Sequence, residues 1–125
     1  MIKLIVGTKG SGKTKTLIDM AKAAAETSKG NVVCVEKGDK LAREVPTSVR
    51  LINSDEYQVK GFANLYGFLA GILAGNYDIT ELFIDGILKI VDHNMDAAAK
   101  VRLLWLKNFL KFRAMQRSSS QYPVM

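Results

Sequence analysis

The sequence predicts an α/β fold, a three-layer sandwich of helices packed on a mostly parallel sheet. Two observations carry this. Short apolar runs rich in β-branched residues recur along the chain, each suited to a buried strand and too short for a helix. Between them lie stretches in which apolar residues recur at helical spacing. Strands alternating with helices pair in parallel, because each crossover brings the chain back to the same end of the sheet.

The first run, Ile2-Lys3-Leu4-Ile5-Val6, reads as a strand, and a glycine-rich segment follows it. Leu17, Ile18, Met20, Ala21, Ala24 and Ala25 then mark a helix. Ser28-Lys29-Gly30 ends it, with Gly30 as the expected left-handed cap. Asn31 to Glu36 is a second strand, closed by Lys37-Gly38-Asp39. Pro46 interrupts the next stretch, and Val49 to Asn53 is a third strand. Ser54 to Tyr57 is a turn or a short helical piece. Phe62 to Ala74 carries Phe62, Leu65, Tyr66, Leu69, Ile72 and Leu73 on one broad face and is expected to be a helix, ended by Gly75-Asn76. Leu82-Phe83-Ile84-Asp85 is a fourth strand ending in an acid, and a helix is expected from Asp92 to about Met115. The domain reading is a core over 1–92, a C-terminal helix of the same domain over 93–116, and a disordered tail over 117–125.

A chain of 125 residues allows one domain with a real core. The longest apolar runs are broken by Gly, Asn or Lys, so no transmembrane span is expected. The first residues already form a strand, so no signal peptide is expected. Cys34 is the single cysteine, which excludes an internal disulfide and a cysteine metal cluster; it reads as an inert buried thiol. Together these features suggest a cytoplasmic protein. The net charge of +6 invites a nucleic-acid reading, but residues 1–90 hold 12 Lys+Arg against 10 Asp+Glu, while residues 91–125 hold 6 against 2. The excess sits in the tail, which argues against a nucleic-acid face on the core.

The glycine-rich segment Gly7-Thr8-Lys9-Gly10-Ser11-Gly12-Lys13-Thr14 fits G-x-x-x-x-G-K-[ST] in full. Its glycines let the backbone curl so that successive N–H groups face a phosphate. Lys13 supplies a point charge for the β- and γ-phosphates, and the Thr14 hydroxyl is placed for Mg²⁺. A helix starting at Lys13 would add its positive end. A strand before and a helix after are the context in which this motif works. Asp85, at the end of the fourth strand, would share the Mg²⁺ shell with Thr14, directly or through water.

Residues 1–14 and 82–85 resemble the Walker A and Walker B motifs of P-loop NTPases. The three-layer sandwich expected above is therefore a P-loop NTPase-like one. Lys9 stands at the third loop position, whereas the deviant Walker A of partitioning ATPases has its extra lysine at the second, here Thr8. The stretch from Met1 to about Asp39 resembles the twitching-motility retraction ATPases, with Gly-Ser-Gly-Lys-Thr, Thr16-Leu17 and a strand ending in Glu36. Residues 1–90 as a whole resemble small ATP-binding proteins of Gram-positive anaerobes labelled PilT-like. The resemblance implies ATP and Mg²⁺ as ligands. It also marks departures. The retraction motors follow this strand with E-D-P-x-E-F, and their second Glu polarises the attacking water; Lys40 stands at that position here. Gly86 follows Asp85, so there is no D-E pair. Glu36 is then the candidate to orient water, against the plainer reading of an exposed strand-end charge.

Other residues read as bland. Lys9 and Lys15 read as solvated loop lysines rather than phosphate contacts, although Lys9 lies within the loop that would hold phosphate. Asp55 and Glu56 suit a surface turn, and His93 has no ligand partner at metal spacing. Phe62 and Tyr66 belong to the core face of their helix.

The tail is anomalous. Leu103, Leu104, Trp105, Leu106, Phe109, Leu110 and Phe112 cover most of a helix circumference, and Lys100, Lys107 and Lys111 line one edge. Such a helix can meet a membrane surface, a partner helix or nucleic acid, or be a partly buried terminal helix. A P-loop domain of this strand order is expected to close with another strand, and nothing from Arg113 to Met125 reads as one, so the C-terminal strand is missing or altered. Synonymous codons for Leu104 to Met125 allow a shifted-frame translation close to L-A-E-E-F-L-E-I-Q-S-N-A-K-V-K-F-T-I-S-S-D. That string has an acidic amphipathic helix and then a strand. The frame would change somewhere about residues 97–104.

The function expected is nucleotide binding with weak or partner-stimulated ATP hydrolysis. The alternatives are a non-catalytic nucleotide-sensing or interaction module and a small phosphotransferase like the thymidine kinases. Those kinases carry a D-E pair and a zinc ribbon that this sequence lacks. A protein partner or self-association stays open.

Overall fold

The structure, a computed structural model, describes residues 3–7, 13–101 and 103. Within them, β1 (Lys3–Gly7), β2 (Asn31–Glu36), β3 (Val49–Asn53) and β4 (Ile79–Asp85) form one all-parallel sheet in the order β1-β4-β2-β3. The helices are α1 (Lys13–Thr27), α2 (Gly61–Ala74), the short α3 (Ile87–Ile90) and α4, over 95–101. The molecule is thus α/β with helices on both faces of a parallel sheet. Among the described residues no helix is long and apolar enough to cross a membrane.

Period-two alternation along the strands builds two cores. Val33 and Val35 of β2, with Leu82 and Ile84 of β4, face Leu65, Leu69 and Leu73 of α2, Ile87 and Ile90 of α3, and Ala97 and Val101 of α4. Val32, Cys34 and Phe83 point the other way, against Leu17, Ile18, Ala21 and Ala24 of α1 and Leu41 and Val45 of the β2–β3 connection. Burial on both faces explains why these strands are apolar throughout. The two full crossovers run in opposite directions, from β1 past β4 to β2, and from β3 past β2 to β4. A common hand then requires α1 and α2 to lie on opposite faces, as they do.

Several boundaries differ from expectation. The fourth strand begins at Ile79 rather than Leu82. A four-residue helix, α3, follows it unannounced. Asp92 does not start the last helix: Asp92 and His93 both have positive φ, in a turn. Asn94 instead opens α4, its side chain accepting the Ala97 N–H at 3.0 Å. Gly30 is not a left-handed cap either, since the positive-φ glycines among the described residues are Gly38, Gly61 and Gly86. It is needed because the strand start passes too close. A Cβ at Gly30 would fall on the Asp78 carbonyl oxygen and 2.5 Å from the Thr80 Cγ2. The Ser28 and Thr80 hydroxyls hydrogen-bond across the same contact. The expected helix beyond Leu103, the tail over 117–125 and the frame change near its start lie outside the described residues.

Candidate functional site at the carboxyl ends of the strands

Parallel strands end together, and here their last residues form a row. Gly7 of β1 is in register with Asp85 of β4, Asp85 with Glu36 of β2, and Glu36 with Asn53 of β3. Ligands of open α/β sheets lie beyond such strand ends, where connections from neighbouring strands leave on opposite faces. That condition holds between β1 and β4. The chain leaves β1 for α1 on one face and leaves β4 for α3 and α4 on the other.

Of the residues expected to hold phosphate, Gly7 ends β1, and Lys13 and Thr14 begin α1, with their backbone described. Thr8, Lys9, Gly10, Ser11 and Gly12 lie outside the described residues. Strand, motif and helix follow one another as the motif requires. Asp85 is half-buried at the head of the row. The chain then turns sharply at Gly86, with φ of 68° and ψ of 41°. Glycine takes that left-handed conformation without strain. A side chain at position 86 would be held in a backbone region that L residues disfavour.

Glu36 is neither exposed nor open to solvent. It is 2% exposed, and its Oε2 accepts the Leu41 N–H at 3.1 Å. It thereby ties down a short 3-10 turn, Lys40–Arg43, whose Leu41 fills the α1-side core. The reading of Glu36 as an exposed strand-end charge is therefore overturned. Burial pushes its carboxyl above the ordinary range, the Leu41 N–H opposes that rise, and the neighbouring Asp85 charge adds to it. The same burial, helped by Asp85 and Glu36, pushes the Cys34 thiol up to about 12. Cys34 is wholly buried, the inert thiol its sequence context suggests.

Asn53 is a residue that motif reasoning passed over. Its Oδ1 accepts the Asp55 N–H and the Gly38 N–H, each at 2.9 Å, which binds the loop after β2 to the end of β3. The signal was present as an Asx-turn pattern, an asparagine two residues before an exposed turn acid. Lys37 and Asp55 add a surface ion pair at 3.5 Å. Asp55, Glu56 and His93 are exposed, and so is Lys15 at the edge of the row. Phe62 and Tyr66 stack at 6.1 Å on α2, half-buried, with the Lys100 ammonium 5.8 Å from the Phe62 ring centre.

Among the described residues no group of three or more His, Cys, Asp or Glu side chains comes together as a metal site. A cleft of about 450 Å³ opens at the opposite, amino-terminal ends of β2, β3 and β4; among the described residues Arg50 is its single charged lining residue. It holds no constellation comparable to the carboxyl-end row. No family model, curated protein or solved structure matches the chain.

Proposed function

We propose that the chain is a P-loop protein that binds ATP with Mg²⁺ at the carboxyl ends of β1 and β4, and hydrolyses it weakly or when a partner stimulates it. The observation that carries this reading is the register of Gly7 with Asp85. The first glycine of the motif and the acid that should face its hydroxyl are far apart in sequence and adjacent in the sheet. In this reading the loop amides and Lys13 hold the phosphates, and Thr14 and Asp85 hold Mg²⁺. The donors suit that ion. A half-buried carboxylate and a hydroxyl are hard oxygen ligands, and Mg²⁺ takes few protein ligands when phosphate and water complete its shell. Bound there, it would neutralise charge developing on the transferred phosphoryl group.

A second reading, a nucleotide-sensing module that does not turn ATP over, is favoured by Glu36. That carboxylate is engaged with Leu41 and shielded from solvent, a poor disposition for orienting water.

Calorimetric titration with ATP, with and without Mg²⁺, tests the proposal. Lys13→Ala should abolish binding, and Asp85→Asn should remove the Mg²⁺ dependence while leaving the fold intact. Unchanged affinity in Lys13→Ala would sink the reading. Tight binding without phosphate release would select the sensing module.

A further inference from the structure

We propose that the cleft at the amino-terminal ends of β2, β3 and β4 binds a small organic carboxylate with an apolar body, and that Arg50 holds the carboxylate. The proposal does not rest on nucleotide binding.

The first observation is the place of Arg50. It is the one charged residue of β3, which is otherwise apolar up to its closing Asn53. It is in register with Val33 of β2, which is buried beneath α2. Residues in register on parallel strands stand on the same face, so Arg50 rises on the helix-covered side of the sheet, where the neighbouring strand carries a core valine. Among the described residues its guanidinium has neither an ion pair nor a hydrogen bond, and no acid lines the cleft. Its donors are therefore all open.

The second is the shape of the cleft. Ile52 of β3 and Ile72 of α2, both half-buried, give it apolar walls. α2 reaches it with Gly71 and Gly75. Neither has the positive φ that would call for glycine, and a Cβ at Gly71 would meet nothing within 4 Å. Glycine inside a helix costs stability relative to alanine. Here no backbone strain or close approach requires it, and what its missing side chain supplies is room. The resulting volume, about 450 Å³, is that of a small-ligand site.

The third is the polar set. Asn76 Oδ1 accepts the Asn31 Nδ2 at 3.3 Å and the Asp78 N–H at 2.9 Å. That fixes the amide and leaves its NH₂ as a donor with no partner among the described residues. The exposed Ser48 hydroxyl is another donor on the lining. Donors beside apolar walls suit an oxyanion carried on an apolar body. The sign and size of its charge are limited by α2, which ends at this cleft with its negative pole. A singly charged carboxylate is repelled less than a doubly charged phosphate monoester. Its planar fork also matches the guanidinium through paired hydrogen bonds.

The test is a titration of the 125-residue chain with isocaproate, followed by backbone amide NMR. Saturable shifts should appear at Gly71, Gly75 and Asn76, and the neutral isostere isocaproamide should give none. Inorganic phosphate should bind more weakly than isocaproate. Arg50→Gln should weaken isocaproate binding by about tenfold or more, with Arg50→Lys between it and the parent. Gly71→Leu fills the hollow from a position with free space around its Cβ, so it should abolish the shifts while the chain melts no lower than the parent. A titration without saturable shifts overturns the proposal. So do shifts that isocaproamide reproduces, that phosphate produces at lower concentration, or that persist unchanged in Arg50→Gln or Gly71→Leu.

Discussion

Glu36 and Asp85 stand at the same register position on neighbouring parallel strands, yet one is sealed in and the other is half-open. The difference comes from the chain that follows each. After β2 the backbone folds back over Glu36 as a 3-10 turn and donates the Leu41 N–H to it. After β4 it turns away at Gly86 and leaves Asp85 at the crevice.

The buried carboxylate makes stability pH-dependent in a defined direction. Burial holds Glu36 above its ordinary range in the folded chain. The protonated form therefore favours folding, and that contribution is lost as pH rises from the ordinary glutamate value of about 4.3 through the folded value. Glu36→Gln keeps an acceptor for Leu41 and cannot ionise. The variant should gain on the parent as pH rises above the ordinary glutamate value of about 4.3, in denaturant unfolding. Parallel stability curves over that window would mean that Glu36 is not the group responsible.

Gly30 predicts a steric effect rather than a conformational one. Gly30→Ala would drive a methyl group into the Asp78 carbonyl and the Thr80 side chain, both at the start of β4. The expected loss is about 1–3 kcal/mol, as for overpacking at a site backed by backbone. Thermal unfolding checks it. Gly38→Ala is the contrast: it meets no atoms, and its penalty comes only from a φ of 112°.

Cys34 gives a probe of global opening. Its thiol is wholly buried and raised to about 12, so thiolate is scarce near neutral pH. A disulfide reagent should label the native chain no faster than the sheet unfolds, and denaturant should accelerate labelling along the unfolding transition. Rapid stoichiometric labelling of the native chain would contradict the burial.

How much of this was legible in the sequence depended on whether a feature was local. β2 and β3 have the bounds expected for them, because Gly38 and Pro46 punctuate the chain between two apolar runs. α2 likewise follows its leucine stripe. α3 was missed because four residues are too few to show a helical period. The reason for Gly30 was illegible because the atoms it avoids belong to a strand almost fifty residues later, at Asp78 and Thr80. The site divides in the same way. Gly7, Lys13, Thr14 and Asp85 were legible as a spacing and a strand end. That Gly7 and Asp85 are neighbours depends on strand order, which no local pattern encodes. Nor does any local pattern place Glu36 beneath a turn made by the residues after it.

β4 is the last strand along the described chain and an inner one in the sheet, inserted between β1 and β2. β1 has no other partner among the described residues, so it cannot join the sheet until Ile79–Asp85 has been synthesised and has found its slot. On a ribosome, β2 and β3 can pair early, while the amino-terminal strand waits for most of the chain to emerge. Closing that long loop before any contact rewards it makes assembly slow. The Gly7–Asp85 pairing is made in that closing step, so the row of strand ends is complete only when the sheet is.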